Sequence, residues 1–107
     1  MSDMSRVSAA FQAFMKEAPE HQQAWLEAVG KLEGASALDA KTGELVYIGI
    51  LAAARLESGL AFHVAHARAL GATREEIISA VLAGLPAVGN GVIQALPVAL
   101  QAYDQAD

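Results

Sequence analysis

The sequence of 107 residues contains no cysteine, and this absence excludes several classes of chemistry. Disulfide bonds, metal sites built from thiolates and thiol-based redox catalysis all require the cysteine sulfur. An active site in this chain must therefore rely on nitrogen and oxygen groups. The three histidines and the carboxylates are the main candidates.

Positive charge is also scarce. Seven Lys and Arg residues oppose twelve Asp and Glu residues, which gives a net charge of −5. Nucleic-acid-binding surfaces need clustered basic side chains, whereas the basic residues of this chain are scattered. We therefore expect no nucleic-acid partner.

The features of a membrane or secreted protein are missing as well. The apolar run Leu45–Ala54 has ten residues, whereas a spanning helix needs about 20. The opening residues Met1–Arg6 are polar and mixed in charge, unlike a secretion signal. We expect a single cytoplasmic domain over residues 1–107, with no membrane partner.

Hydrophobic residues, in contrast, make up 54% of the chain, and only 18% of residues are charged. The run Leu45–Ala54 lacks the regular polar positions of a surface helix, so we expect this segment to be buried on all sides. Because a chain of this size buries only a modest fraction of its surface, contacts between subunits should cover the surplus apolar area. The main aromatic residues are expected in the core or at an interface: Trp25, Tyr47, Phe62 and Tyr103.

Signals for β-strands are absent, because no segment alternates and the one Asn-Gly pair, Asn90-Gly91, lies in helix-favouring sequence. The pattern therefore predicts an all-α fold. Gly71 is typical of a helix C-terminus, and Thr73 with Glu76 matches a capping box. The predicted helices run from Ser5 to Lys16, from Pro19 to Glu33, from an Asp39 cap to Arg55, from Ser58 to Gly71, from Thr73 to a bend at Pro86, and from an Asn90 cap onward, with a kink or limit at Pro97.

The order of three signals resembles the carboxymuconolactone decarboxylase family, which includes the AhpD-like alkylhydroperoxidase branch. These signals are Leu38-Asp-Ala-Lys-Thr-Gly-Glu44-Leu before the apolar run, then His63, then Gly71-Ala-Thr-Arg-Glu-Glu-Ile77. The resemblance covers Pro19 to Tyr103. It implies an all-α, AhpD-like helical bundle built around a central helical hairpin and assembled as a homotrimer or homohexamer.

The chain departs from the peroxidase branch at the residues that carry its chemistry. That branch has cysteines seven and four residues before the histidine that matches His63, and this chain has Leu56 and Gly59 there. Because the thiolate is the nucleophile in that reaction, thiol peroxidase and disulfide-reductase activities are not expected. The resemblance implies that Glu44 and His63 keep the family's proton relay, and the decarboxylase branch also lacks the cysteine pair.

The candidate catalytic residues are His63, Glu44 and Glu57. His63 could act as a general acid or base near neutral pH, or be a helix-face histidine satisfied by one hydrogen bond. Glu57 could line a pocket with His63, or only favour the positive end of the next helix. His63 and His66, three residues apart, are weak candidates for a metal site with Glu44 or Glu57 as third ligand. No cofactor is expected.

Helix geometry argues against a simple meeting of Glu44 and His63. At about 1.5 Å per residue, Glu44 would lie about 20 Å from the turn and His63 about 8 Å from it. In a straight antiparallel hairpin we expect the two side chains to stay apart, unless the helices cross steeply or a second subunit supplies one of them.

Two functions stay open from the sequence. One is acid–base chemistry of a decarboxylase or isomerase type on a small organic acid or lactone. The other is a non-enzymatic homo-oligomer that binds a small ligand or has a structural role. A cavity at His63 with Glu44 or Glu57 within reach would favour the enzyme.

Overall fold

The structure, a computed structural model, describes residues 6–106 and divides into two compact units after Asp39. Helices and short 3₁₀ turns form all the regular structure of these residues, and no strand occurs among them. The predicted all-α fold is therefore confirmed.

The first unit contains two helices, α1 (Ala9–Glu17) and α2 (Pro19–Ala35). Ser8 caps α1 because its side chain accepts a hydrogen bond from the Phe11 N–H at 3.1 Å. Pro19 begins α2, as predicted, since the first turn needs no N–H from it.

The second unit contains α3 (Ala40–Ala53), α4 (Leu60–Ala69), α5 (Arg74–Leu82), α6 (Leu85–Val88) and α7 (Leu96–Gln105). Both α4 and α5 pack against α3 on one side and α7 on the other. Burial of apolar side chains between these helices is the main stabilising contribution. The largest fully buried side chains are Ile48, Leu60, Val64, Ile77, Val81 and Val92.

The two strongest helix-end predictions are confirmed. Gly71 follows α4 with a left-handed φ of 99°, and two backbone hydrogen bonds close the turn, from Ala72 N–H to Ala67 O and from Gly71 N–H to Arg68 O. At the start of α5 the capping box is complete. The Glu76 N–H donates to Thr73 Oγ1 at 3.1 Å, and the Thr73 N–H donates to Glu76 Oε1 at 2.8 Å.

One predicted boundary is shifted by two residues, and another is wrong. Between α3 and α4 the chain leaves the helix after Ala53, because Arg55 adopts a left-handed φ of 63° and Glu57–Gly59 form a 3₁₀ turn. Asn90 caps no α-helix, since it lies within a 3₁₀ segment, Gly89–Ala95. The last helix begins only at Leu96, with Pro97 in its first turn.

Within one chain, the prediction that Leu45–Ala54 is buried on all sides is also wrong. Ile48, Leu51 and Ala52 face the core. Val46 and Ile50 lie on another face of α3 and are 47% and 58% exposed. The uniform apolar character of α3 therefore exceeds what the packing of this chain requires.

A second long apolar stretch, Arg74–Gln105, escaped the sequence analysis. By length and composition alone it could cross a membrane, since an 18-residue window within it has a mean hydropathy of 1.6. The stretch is not one straight helix, because Gly89 adopts a φ of 75° and α5 packs against α7. The absence of a membrane partner stays a prediction.

Candidate functional site

The register of the α3–α4 hairpin positions the candidate site. Gly59 lies against Leu51, since a Cβ on this glycine would be 3.3 Å from Leu51 Cδ1. His63 lies four residues after Gly59, and Tyr47 lies four residues before Leu51. Their two rings stack, with centroids 4.2 Å apart and planes inclined by 21°. The two helices therefore run side by side toward Glu44, one turn before Tyr47.

Glu44 bridges both histidines of α4. Its Oε1 lies 2.7 Å from His63 Nδ1, and its Oε2 lies 2.7 Å from His66 Nδ1. Residues three apart on a helix share a face, so one carboxylate can contact both rings at once. All three groups belong to the same chain.

The expectation that a straight hairpin keeps Glu44 and His63 apart is therefore wrong. That expectation assumed that α4 begins level with the last residue of α3. In the structure the connector folds back onto the last turn of α3, where the Leu56 N–H donates to Leu51 O at 2.9 Å. Because Gly59 already faces Leu51, His63 comes within one helical turn of Glu44, and side chains span that distance.

The Glu44 carboxylate is mostly enclosed, with 14% of its side chain exposed. Burial raises the pKa of Glu44, but the hydrogen bonds and positive charge of His63 and His66 outweigh it, and its pKa lies below the ordinary 4.5. An ionised carboxylate only accepts hydrogen bonds. Each imidazole therefore donates from Nδ1, which leaves Nε2 as its free base.

The Nε2 atom of His63 reaches solvent. Its side chain is 23% exposed, and that of His66 is 50% exposed. Among the described residues no buried side-chain nitrogen or oxygen lacks a partner, and neither Nε2 has a protein hydrogen bond. Both rings therefore present a nitrogen with a lone pair to molecules at the surface.

Two aromatic side chains flank His63, Tyr47 and Phe62, which the sequence predicted only as core or interface residues. Tyr47 covers one face of its ring, and Phe62 approaches edge-on at 5.3 Å with an angle of 78°. Tyr47 is 47% exposed and Phe62 is 38% exposed, so neither lies in the core of the chain. The sequence spacing could have placed both rings near the site, because Tyr47 follows Glu44 by one helical turn and Phe62 directly precedes His63.

The structure does not bring Glu57 to the histidines. Glu57 Oε2 lies 3.9 Å from Arg55 Nε, and this carboxylate makes no hydrogen bond to His63 or His66 among the described residues. Residues 6–106 also contain no group of three histidine or carboxylate side chains arranged to hold a metal ion.

The nearby arginines are engaged elsewhere. Arg55 donates to Gln94 Oε1 at 3.0 Å. Arg68 donates to the carbonyl oxygens of Tyr103 and Ala106 and lies 5.0 Å from the centre of the Tyr103 ring. Neither guanidinium is therefore placed to hold an anion beside His63.

A cavity lies on a different face of α3 from Glu44 and Tyr47. This groove between α3 and α5 has a volume of about 660 Å³ and does not include His63. Its lining is largely apolar. It includes Leu45, Val46, Gly49 and Ile50 from α3, Ala80 from α5, and Ala83, which directly follows α5. His63 and His66 lie outside this groove, and both side chains are partly exposed.

Comparison with protein families identifies the chain over most of its length. The model of the carboxymuconolactone decarboxylase family matches residues 19–101, which include Glu44, His63 and His66. Searches of curated proteins and of solved structures gave no match.

Proposed function

Because this chain belongs to the carboxymuconolactone decarboxylase family, we propose that it catalyses proton transfer on a small organic acid or lactone. The reaction is of a decarboxylase or isomerase type, with His63 as general acid or base and Glu44 as the group that orients it. The observation that carries this proposal is the 2.7 Å contact between Glu44 Oε1 and His63 Nδ1.

The contact supports acid–base chemistry for a specific reason. The carboxylate holds the proton on Nδ1, so the lone pair of Nε2 faces the surface and can take a proton from a substrate. When Nε2 becomes protonated, the charge of Glu44 stabilises the imidazolium. The same division of roles between carboxylate and imidazole operates in serine hydrolase triads.

The surroundings of His63 favour a small, partly apolar substrate. The exposed rings of Tyr47 and Phe62 offer apolar surface for a carbon skeleton. With Arg55 and Arg68 engaged elsewhere, a protonated imidazole is the group that would contact a substrate carboxylate. Such a site suits a lactone or a monoanion better than a polyanion.

We expect no thiol peroxidase activity from this protein. The chain has no cysteine, and Leu56 and Gly59 stand where the resemblance places the family's redox pair. No other side chain performs the reversible disulfide cycle that this reaction needs.

A second candidate function is a non-enzymatic cytoplasmic homo-oligomer, trimer or hexamer, that binds a small ligand. The groove between α3 and α5, with a volume of about 660 Å³, favours it, because ligand pockets have volumes in this range. In that case the histidine cluster would have no catalytic task.

Replacement of His63 separates the two functions. A panel of small lactones and unsaturated acids is incubated with the protein in D₂O, and NMR follows isomerisation, deuterium uptake and loss of carboxylate. We expect His63→Gln to lower any turnover about 10²-fold or more, the scale of general acid–base catalysis. His21→Gln, which changes the histidine outside the cluster, is the control and should keep the rate. Turnover that survives His63→Gln contradicts the enzyme proposal.

A further inference from the structure

His66 has no task in the function proposed above, yet its geometry matches that of His63. Both Nδ1 atoms lie 2.7 Å from an oxygen of the same carboxylate, and neither Nε2 has a hydrogen bond to residues 6–106. His66 is the more accessible of the two, with 50% of its side chain exposed against 23%. Phe62 lies beside both rings, with centroids 5.3 Å and 6.4 Å away. A ligand on Phe62 would therefore meet both histidines.

Glu44 carries the one negative charge of this cluster, and both imidazoles contact it. The other charged side chains on α3, α7 and the 3₁₀ turn, the elements packed against α4, pair elsewhere: Lys41 with Glu76, Asp104 with Arg74, and Glu57 with Arg55. Arg68 of α4 itself contacts the end of α7.

We infer that His66 is a second catalytic residue, which acts with His63 as an acid–base pair on either side of Glu44. The reaction is then the isomerisation of a β,γ-unsaturated lactone or acid to its α,β-unsaturated form. This inference rests on the proposed function and narrows it. A proton shift between two carbons can use a base and an acid at the same time, and the two histidines would supply one each.

The step balances without a further reactant. His63 Nε2 takes the proton from the carbon beside the carbonyl group, and the electron pair of that C–H bond forms the new C=C bond. His66 enters the step as the imidazolium, with a proton on each ring nitrogen. The electron pair of the old C=C bond forms a C–H bond at the γ carbon with the proton from His66 Nε2. One proton leaves the substrate and one arrives. His63 ends protonated and His66 neutral, and exchange with water restores the starting state.

The first test needs no substrate. Nitrogen-15 NMR of the histidine rings, at a pH where they are neutral, reports which nitrogen carries the proton. We expect Nδ1–H for both His63 and His66, and loss of this preference at one ring or more in Glu44→Gln, whose amide keeps a single acceptor oxygen. His21 serves as an internal reference that the substitution leaves unchanged. A neutral His66 ring with its proton on Nε2 instead of Nδ1 would overturn the inference, because Glu44 would then not hold the Nδ1 proton of that ring.

The second test uses α-angelica lactone, a β,γ-unsaturated lactone, in D₂O. We expect conversion to the conjugated isomer with deuterium at the γ carbon, and a loss of about 10²-fold in both His63→Gln and His66→Gln. If His63→Gln loses the activity and His66→Gln keeps it, the inference falls and the proposed function stands. If both variants keep the rate, the proposed function falls as well. If the unmodified protein leaves this lactone unchanged, the isomerase assignment is overturned, and acid–base chemistry on other acids is still decided by the His63 replacement.

Discussion

The imidazole of His63 lies nearly parallel to the ring of Tyr47, with centroids 4.2 Å apart. Glu44 fixes one nitrogen of the imidazole, and Tyr47 fixes the plane of its ring. Together the two contacts leave the ring little freedom to rotate. The direction of Nε2 is therefore set before a substrate arrives.

Replacing Tyr47 tests this role. Tyr47→Phe keeps the stacked ring, and we expect turnover close to that of the unmodified protein. Tyr47→Ala removes the stack, and we expect a loss of up to about 10²-fold, because small misplacements of a catalytic group have costs on this scale. Steady-state kinetics on the substrate found for the protein provides the measurement. Equal rates for the two variants would show that the ring plane does not depend on Tyr47.

Glu44 should stabilise the fold in a pH-dependent way. Its pKa lies below 4.5 in the folded chain, so its contribution is present above that pH and is lost as the pH falls through the folded value. We expect Glu44→Gln to lower the free energy of unfolding by about 1.5–3 kcal/mol at neutral pH, as for hydrogen bonds to a charged group. Urea unfolding at neutral pH and at about pH 3 measures this, and the difference between the two proteins should shrink in acid. A difference that is equal at both pH values contradicts the assignment.

The parts of the fold that the sequence predicts correctly are those with local causes. The φ of Gly71 and the capping box of Thr73 and Glu76 depend on residues within one turn of each other, so the sequence alone identifies them. The family resemblance also singles out Glu44 and His63 correctly as a pair in space.

The register of the hairpin could not be predicted, because it depends on contacts that no local pattern shows. It follows from the left-handed conformation of Arg55 and from the packing of Gly59 on Leu51. Without the register, the distance between Glu44 and His63 comes out too long, and the second contact of Glu44, with His66, is missed. The sequence thus predicts which residue types form the site, but not the distances between them.

Two glycines of α3 provide a matched test of packing. A Cβ on Gly49 would lie 2.9 Å from the Ala80 carbonyl oxygen, whereas a Cβ on Gly43 would meet nothing within 4 Å. We expect Gly49→Ala to destabilise the fold by about 1–3 kcal/mol through overpacking of α3 against α5. Gly43→Ala should instead stabilise it by about 0.5–1 kcal/mol, because alanine favours the helix. Thermal unfolding of both variants decides, and a stabilised Gly49→Ala would refute this close approach.

The protein should not reduce hydroperoxides with a dithiol donor. Cysteine is absent, and Leu56 and Gly59 stand where the resemblance places the redox pair. We expect a coupled assay with tert-butyl hydroperoxide and dithiothreitol to give the rate of the buffer alone, before and after treatment with a chelator. Turnover above that rate in the chelated protein would show a redox chemistry that these side chains do not explain.

We expect the protein to form a homo-oligomer through the exposed face of α3. Ile50 is 58% exposed and Val46 is 47% exposed, and both line the groove beside α5. Covering apolar surface of this kind with a second subunit lowers the free energy and so favours association. Size-exclusion chromatography with light scattering should give a mass that is a multiple of 11.1 kDa. Ile50→Glu should lower that mass by placing a charge in the contact, whereas Gln101→Glu adds the same charge at an exposed polar position of α7 and should not. A monomer at micromolar concentration contradicts the prediction, and an assembly unaffected by Ile50→Glu would place the contact elsewhere.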